Sequence, residues 1–296
     1  MPDSVAIDDG LLRGWPLPRA GDGGKDERGR TFVVAGAPQM PGAAVLCATA
    51  TLRAGAGKLQ IGTCASIAGL VGCAVPESLV VALDETRSGA ISRGSAATIV
   101  EHANAGDALV IGPGLVDQNA SAELISTVAW KLEVPVVVDA AALACFADRA
   151  DTFAHLGGRA ILTPHAGEMA TMLRCSRDEV EASPETFALD AARAFGAVVA
   201  LKGATTYVAD PSGALYRNEE GTPGLATSGS GDVLAGIAGG LLARGVEPIR
   251  AAVWAVALHA RAGEALARRV GLGFLARELP AEIPPIMREL AGDGGV

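Results

Sequence analysis

Residues 32–63 read FVVAGAPQMPGAAVLCATATLRAGAGKLQIGT, and this stretch indicates the fold class. The short apolar run over residues 32–35 predicts a strand that is buried on both faces. A glycine-rich turn over residues 36–42 and an alanine-rich helix over about 43–54 follow, and residues 59–63 predict the next strand. A strand, a crossover helix and a second short strand in this order favour a parallel sheet covered by helices.

The same alternation of short apolar runs and helical segments continues along the chain. Further strands are predicted over residues 79–82, 108–111, 136–138, 160–162 and 198–201, with helices over 119–131 and 184–195 between them. Turn chemistry in Asp210-Pro211-Ser212-Gly213 predicts a β-hairpin between the runs 205–209 and 214–216. Helices over about 231–243, 250–268 and 276–290 complete the predicted α/β fold, whose sheet is mostly parallel.

Length and composition indicate a single catalytic or binding domain. The chain has 296 residues and half of them are hydrophobic, which is enough apolar material for one large core. Neither an internal repeat nor a linker divides the sequence. We therefore expect an irregular leader over residues 1–24 and one domain over residues 25–296. The alanine- and leucine-rich helix over 250–268 suits either this core or an interface, and we expect a homo-oligomer.

Charge and cysteine content exclude several classes of function. The net charge of −9 leaves no basic footprint for nucleic acid. The amino terminus lacks a hydrophobic signal region, and no apolar stretch long enough to span a bilayer is free of glycine or charge. The five cysteines are an odd number without a CxxC pair, which argues against a disulfide framework or a zinc site. We expect a cytoplasmic protein with neither nucleic-acid nor membrane partners.

The segment 224–232, GLATSGSGD, is the strongest candidate for binding chemistry. An apolar helix follows it, so unpaired N–H groups and the positive end of the helix dipole lie at this point. Such a helix start binds phosphate or another oxyanion, and Gly229 and Gly231 would let the backbone approach the anion closely. The glycine spacing matches neither a Walker A loop nor a dinucleotide fingerprint.

Asp232 places a carboxylate beside this anion site, and two interpretations are open. It could be a helix-start residue that the dipole stabilises. Alternatively, it is a general base that orients a hydroxyl and accepts its proton during phosphoryl transfer. Because the dipole favours the ionised carboxylate, we expect a low pKa for Asp232 rather than one near 7.

Other candidate residues follow predicted strands, where ligands bind in an open α/β sheet. The segment 202–206, KGATT, offers a lysine and two hydroxyls to a phosphate or ribose, although a plain strand-to-hairpin corner would look the same. His165 follows the strand 160–162 and suits contact with a substrate better than metal ligation, because no further HxxE or HExxH pattern occurs. Gly112-Pro113-Gly114 could admit a ligand, and Asp139 would project into the same crevice.

Taken in order, these segments resemble the carbohydrate-kinase-type dehydratases that repair hydrated NADH and NADPH. The matching segments span about residues 25 to 280, and the ordered set, with GSGDVLAG among its members, is specific. They are Gly36 with residues 41–44, 52–57, 76–77, 112–114, 138–140 with 142–143, 163–165 with 167–168, 201–204 and 224–236. The resemblance implies a ribokinase-like fold, with a central, mostly parallel sheet, helices on both faces and one β-hairpin.

The resemblance also implies the activity and the site. ADP would phosphorylate the ring hydroxyl of the S-epimer of NAD(P)H hydrate, and loss of phosphate would restore NAD(P)H and leave AMP. Mg²⁺ is implied by this chemistry and would bridge phosphate oxygens. The residues implied to face the hydrate are Ala43, Gly114, His165 and the catalytic Asp232. The residues implied to hold the adenylate are Lys202, Gly203, Ala204, Thr205, Thr206 and Gly231.

The sequence departs from the family pattern at three positions. Ala141 stands where the family often has a second aspartate, Met40 where it often has tyrosine, and Thr222 where it often has asparagine. The Met40 substitution is expected to loosen the pocket for the ring. Many relatives are fused to an epimerase domain, for which 296 residues leave no room, so we expect a separate epimerase as a functional partner.

Two other functions fit the same fold. A kinase of a vitamin-precursor alcohol, of the hydroxymethylpyrimidine or thiazole type, shares the GxGD anion site. A regulatory protein that binds nucleotide without catalysis is the second alternative, against which the presence of Asp232 argues. The products distinguish them, since only the dehydratase releases AMP together with free phosphate.

Overall fold

The computed structural model describes residues 3–18, 24–147 and 149–291 and contains a ten-stranded sheet. The strands are β1 (Val5–Ala6), β2 (Arg30–Val34), β3 (Lys58–Cys64), β4 (Ser78–Leu83), β5 (Ala108–Ile111), β6 (Val136–Val138), β7 (Ala160–Leu162), β8 (Val198–Leu201), β9 (Thr206–Ala209) and β10 (Leu215–Asn218). Their order across the sheet is β1-β10-β9-β8-β7-β6-β5-β2-β3-β4. Neighbours are parallel except at the β8–β9 and β9–β10 pairs, so the predicted mixed sheet with one hairpin is confirmed.

Helices pack around this sheet. They are α1 (Asp9–Gly14), α2 (Gly24–Glu27), α3 (Pro41–Arg53), α4 (Ala68–Ala74), α5 (Ala96–Asn104), α6 (Gln118–Val128), α7 (Ala166–Leu173), α8 (Arg177–Ala182), α9 (Pro184–Phe195), α10 (Ser230–Ala243), α11 (Pro248–Val270) and α12 (Leu279–Ala291). Four strands, β5 to β8, have the predicted bounds, and every residue in them is buried. Complete burial explains why these strands are short, continuous apolar runs rather than alternating ones.

Helix α10 lies unusually close to α3 and to the sheet, because glycines form its inner face. A Cβ at Gly236 would overlap the Cys47 carbonyl oxygen, and one at Gly239 would overlap the Val110 side chain. Thr51 stabilises the contact between α3 and α10. Its hydroxyl proton is shared between the Cys47 carbonyl at 2.9 Å and the Gly236 carbonyl at 3.1 Å. The glycines therefore fix the position of α10, and with it the anion site at its first turn.

The amino-terminal segment is more ordered than its sequence predicts. We expected an irregular segment over residues 1–24, and this expectation is wrong where β1 and α1 form. Residues 1–2 and 19–23 lie outside the described part of the chain. β1 pairs with β10, and Arg261 reaches Asp9 of α1 at 2.7 Å. Trp254 donates from its ring nitrogen to the Trp15 carbonyl at 2.8 Å. Elements this short depend on such distant contacts, which a local pattern does not reveal.

Helix α11 belongs to the core rather than to an exposed face. The run from Ala251 to Leu258 is buried within the chain, as are Ala262 and Leu266. This excludes the interface interpretation for that part of α11 and leaves the expected homo-oligomer untested. Within the described residues, none of the helices is long and apolar enough to cross a membrane.

We predict that Gly236→Ala destabilises the protein, because the added methyl group must push α10 away from α3. Overpacking of this kind typically costs about 1–3 kcal/mol of the free energy of unfolding. Gly69→Ala in α4 is the matched control, since nothing lies within 4 Å of a Cβ at that helical glycine. Urea unfolding of both variants checks the prediction. Equal stabilities for the two variants would contradict this account of the packing.

Candidate active site

The candidate site lies where β6, β7 and β8 end. Asp139 directly follows β6, Thr163 follows β7 and Lys202 follows β8. Because these three strands are parallel neighbours, their carboxyl ends meet at one edge of the sheet. The Thr163 hydroxyl donates to Asp139 Oδ1 at 2.7 Å, and Lys202 Nζ donates to the same oxygen at 3.0 Å. Three successive strand ends are thus joined by one buried carboxylate.

The Lys202–Asp139 ion pair sits in a mostly negative environment. Asp139 is 2% exposed, and a second carboxylate, that of Glu168, lies 3.8 Å from Lys202 Nζ. Burial by itself lowers the pKa of Lys202, but the charges of Asp139, Glu168 and Asp232 together raise it above its usual value. Lys202 therefore stays positively charged at the centre of three carboxylates.

The first turn of α10 lies directly above this pair. Gly229 precedes the helix in the left-handed region, with φ 88°, and a side chain there would also collide with Leu46. A Cβ at Gly231 would lie only 3.4 Å from Lys202 Nζ. The structure thus brings together Gly231, Asp232 and Lys202, three of the residues predicted for the site. An ammonium group beside a helix start adds its positive charge to the attraction of that helix start for an anion.

The expected low pKa of Asp232 is wrong. Burial and, second, the negative charge of Asp139 raise the pKa of Asp232, Lys202 lowers it, and the net result is a pKa of about 7. The helix dipole, which motivated the expectation, is a smaller effect than removal of the carboxylate from water. The pKa of Asp232 therefore lies near neutral pH, where a general base works best.

A cavity of about 630 Å³ adjoins Lys202 and contains most of the predicted nucleotide residues. Its lining includes His165, Lys202, Gly203, Ala204 and Thr205, together with Arg177, Glu181 and Tyr207. Thr206, the remaining residue of the predicted segment, is the first residue of β9 and is half-buried. The cavity lies beside the ion pair, so a ligand in it would point its anionic end toward α10.

His165 has a structural role that its sequence position did not indicate. It is the N-cap of α7: its Nδ1 accepts from the backbone N–H groups of Gly167 at 3.0 Å and Glu168 at 3.1 Å. Glu168 in turn accepts from the backbone N–H of His165 at 2.8 Å, which completes a capping box. The cap leaves Nε2 on an exposed face of the ring, where it can contact a ligand.

Ala43 and Gly114, two of the residues predicted to face the hydrate, lie against each other. Gly114 has φ 65°, and a Cβ there would overlap the Ala43 side chain and approach the Met40 carbonyl oxygen at 3.1 Å. Gly36, after β2, donates its N–H to the Pro113 carbonyl at 2.8 Å. The loops after β2 and β5 thus pack closely enough to form one wall, at the same edge of the sheet as Asp139.

Comparison with known proteins identifies the family. The sequence pattern of the NAD(P)H-hydrate dehydratases matches residues 31–285. The chain belongs to the NAD(P)H-hydrate dehydratase family. It is 46% identical over 280 residues to the ADP-dependent (S)-NAD(P)H-hydrate dehydratase of Xanthomonas campestris pv. campestris, with 94% of each chain covered.

Other dehydratase relatives are longer. The bifunctional NAD(P)H-hydrate repair enzyme of Moorella thermoacetica is 38% identical over 93% of this chain, which spans 52% of that protein. Among solved structures, the ADP/ATP-dependent NAD(P)H-hydrate dehydratase of Bacillus subtilis, co-crystallized with ATP/Mg²⁺, aligns with a TM-score of 0.84 at 28% identity, over 97% of this chain and 99% of its own. The dehydratase fold therefore covers nearly the whole chain.

Two more distant structures concern the fold alone. A ribokinase-like superfamily protein from Enterococcus faecalis aligns with a TM-score of 0.82 at 24% identity, over 97% of this chain and 96% of its own, which confirms the predicted ribokinase-like fold. A hydroxyethylthiazole kinase from Pyrococcus horikoshii aligns with a TM-score of 0.59 at 18% identity, over 92% of this chain and 94% of its own. The vitamin-kinase alternative therefore shares the architecture of this chain.

The three departures from the dehydratase pattern lie at different depths. Ala141 packs against the core, so no carboxylate replaces the family's second aspartate there. Met40 is exposed at the start of α3, and the Thr222 hydroxyl accepts from the Gly224 N–H at 3.4 Å, as the cap of a short helical turn. Met40 alone of the three is at the surface, beside the Ala43 wall.

Two residues of the site were missed or undervalued in the sequence. Asp139 was expected in the crevice but given no role, although it joins three strand ends. His259 was given none, yet its Nε2 lies 2.8 Å from the Ser230 hydroxyl at the start of α10. A polar residue after a buried strand was a usable signal for Asp139. For His259 the partner is 29 positions away, and no local pattern connects the two.

We predict that Asp139→Asn moves the acidic limb of the pH profile of kcat/KM to lower pH. A base is active when deprotonated, so the wild-type rate should rise with pH through about 7, the pKa of Asp232. Removing the negative charge of Asp139 lowers that pKa and also frees Lys202 to pair with Asp232. Asp190→Asn, at an exposed carboxylate on α9, is the control and should leave the limb in place. An unmoved limb in the Asp139 variant would contradict the assigned cause of the shift.

Proposed function

We propose that the chain catalyses the ADP-dependent dehydration of the S-epimer of NAD(P)H hydrate, with AMP and phosphate as the other products. The observation that carries the proposal is Asp232: a carboxylate with a pKa of about 7 at the start of α10, near the half-buried Lys202 ammonium. This arrangement combines a proton acceptor with a site for a transferring phosphoryl group. The dehydratase relatives supply the identity of the two substrates.

In the first step, Asp232 orients the ring hydroxyl of the hydrate and accepts its proton. The hydroxyl oxygen forms a bond to the β-phosphorus of ADP, and the bond from that phosphorus to the bridging oxygen of AMP breaks. The N–H groups of the first turn of α10 and the charge of Lys202 stabilise the transferring phosphoryl. Loss of phosphate and of a ring proton then restores the dihydropyridine ring.

The assignment of individual binding residues is part of the proposal. Ala43, Gly114, His165 and Asp232 would face the hydrate: Ala43 and Gly114 pack together after β2 and β5, and His165 lines the cavity beside Lys202. The adenylate would occupy the cavity beside Lys202, held by Gly203, Ala204, Thr205 and Thr206, with Gly231 near its phosphates. The short separation of Gly231 from Lys202 Nζ supports a shared phosphate contact.

Mg²⁺ would accompany the nucleotide rather than occupy a protein cage. Among the residues that the structure describes, no group of three or more His, Cys, Asp or Glu side chains could hold a metal ion. Asp139 Oδ1 is already bonded to Thr163 and Lys202. This donor set fits an ion held mainly by phosphate oxygens, which Mg²⁺ prefers. When bound, it would neutralise phosphate charge.

The cellular setting is also proposed. The bifunctional relatives are about twice as long as the aligned region, and a separate epimerase would supply the S-epimer to this chain. We place the protein in the cytoplasm, where the reduced nicotinamide nucleotides that it repairs are used, and as a homo-oligomer.

We predict that ADP supports turnover and yields AMP. The assay contains hydrated NADH, Mg²⁺ and either ADP or ATP, and it follows the return of the reduced nicotinamide absorbance while phosphate and AMP are quantified. One AMP and one phosphate should appear per NADH formed. A phosphorylated product that accumulates without NADH would instead favour the kinase alternative. A much higher rate with ATP than with ADP would contradict the nucleotide assignment.

We predict that Asp232→Asn lowers kcat by about 10²–10⁴-fold, the usual contribution of a positioned general base, while ADP still binds. The change also tests the pKa. Since the folded pKa of about 7 exceeds the usual 3.8, the stability that this group contributes is present below pH 4 and is lost as pH rises through 7. The variant should therefore melt above wild type at pH 8 but not at pH 4. If Asp232→Asn keeps a kcat near that of wild type, Asp232 is only a residue at the start of α10 and not the general base.

A further inference from the structure

His259 lies on α11 with its ring against the first residue of α10. Its Nε2 is 2.8 Å from the Ser230 hydroxyl oxygen and 3.0 Å from the Ser230 carbonyl oxygen. Ser230 is 4% exposed and stands between Gly229 and Gly231 in the anion-binding turn. A single ring nitrogen thus contacts both polar groups of the residue at which α10 begins.

The chemistry of these contacts fixes the proton on the ring. A carbonyl oxygen can only accept, so Nε2 must carry hydrogen and donate. Burial and the charge of Lys202 lower the pKa of His259, the bond to the Ser230 carbonyl partly offsets them, and the net result is a pKa of about 4. The ring is therefore neutral at working pH, with Nε2 as donor. Toward His259 the Ser230 hydroxyl can only accept, and its own proton remains for another acceptor.

Packing of its glycines fixes the body of α10, whereas the residues at its start need contacts of their own. Gly229 is in the left-handed region, and glycines stand on both sides of Ser230, so the backbone around it is intrinsically flexible. Helix α10 has no side-chain cap at its start. The Ser230 N–H donates to the Thr227 carbonyl at 3.2 Å, and His259 supplies the contacts from outside the turn.

We propose that His259 is a positioning residue for phosphoryl transfer, which acts through Ser230 by fixing the first turn of α10 in the geometry that binds the transferring phosphoryl. The proposal rests on the proposed function for its substrates. The N–H groups of this turn stabilise charge that develops as the phosphoryl moves, so their position affects the transition state more than ADP in its ground state. Loss of His259 should therefore lower kcat and leave KM for ADP nearly unchanged.

The test compares two substitutions that differ in one capability. His259→Leu keeps an apolar bulk without a donor, whereas His259→Gln places an amide N–H donor near the position of Nε2. We expect His259→Leu to lower kcat by about 10–100-fold with KM for ADP within about threefold of wild type, somewhat less than the usual loss of one oxyanion donor. His259→Gln should recover at least a third of the wild-type kcat. His102→Leu, at a part-buried histidine bonded to Gln60 on the other side of the sheet, controls for loss of a histidine as such and should keep wild-type kcat.

A second measurement does not depend on hydrate turnover. Fluoroaluminate mimics a transferring phosphoryl, so with Mg²⁺ it should tighten AMP binding by at least tenfold in wild type and His259→Gln, and by less than threefold in His259→Leu. If wild type shows this tightening but does not dehydrate the hydrate, the proposed function fails and the role of His259 stands.

If His259→Leu does not fold, Ser230→Ala, which removes the hydroxyl acceptor, replaces it and should lower kcat in the same direction. A kcat for the Leu variant within twofold of wild type, or an equal loss in the Leu and Gln variants, overturns the proposal.

Discussion

The buried ion pair between Lys202 and Asp139 is the interaction on which the site depends. It joins the ends of β6, β7 and β8, because Asp139 Oδ1 accepts from both Thr163 and Lys202. It also determines the charge seen by the first turn of α10, with a cation beside Gly231 and an anion near Asp232. Burying such a pair costs desolvation energy that its attraction barely repays, so its retention is better explained by the chemistry of the site than by stability.

Backbone packing gives this electrostatic arrangement its precision. The glycines on the inner face of α10 let it approach α3 until a methyl group would no longer fit. Glycine at 114 does the same for the loop after β5 against Ala43. Small residues at these contacts leave little freedom for either wall to shift, so the base, the anion-binding turn and the ring pocket keep a fixed relation. A site for phosphoryl transfer needs this, because positioning and electrostatics supply most of its catalysis.

Much of the fold could be predicted from the sequence, and the reasons are local. Strands β5 to β8 are uninterrupted apolar runs, and the turn sequence Asp210-Pro211-Ser212-Gly213 indicates the hairpin. The glycine-rich start of α10 and Asp232 were equally visible. What could not be predicted depends on distant partners: the pairing of β1 with β10, and the contact of His259 with Ser230. The predicted low pKa of Asp232 was wrong for the same reason. The helix dipole that lowers the pKa is visible locally, whereas burial and the charge of Asp139, which raise it, come from tertiary structure. The capping by His165 is local, but histidine is not one of the usual N-cap residues, so the sequence did not reveal it.

The central claim is that the half-buried carboxylate of Asp232, whose pKa its surroundings raise to about 7, serves as the base. A direct test is the titration of Asp232 in the free protein by carboxyl ¹³C NMR, with the resonance identified by its absence in Asp232→Asn. The account predicts a midpoint near pH 7, in agreement with the burial of the side chain and the charge of Asp139. A midpoint at or below the usual value of 3.8 would mean that the carboxylate is fully ionised and dipole-stabilised, and it would contradict the account.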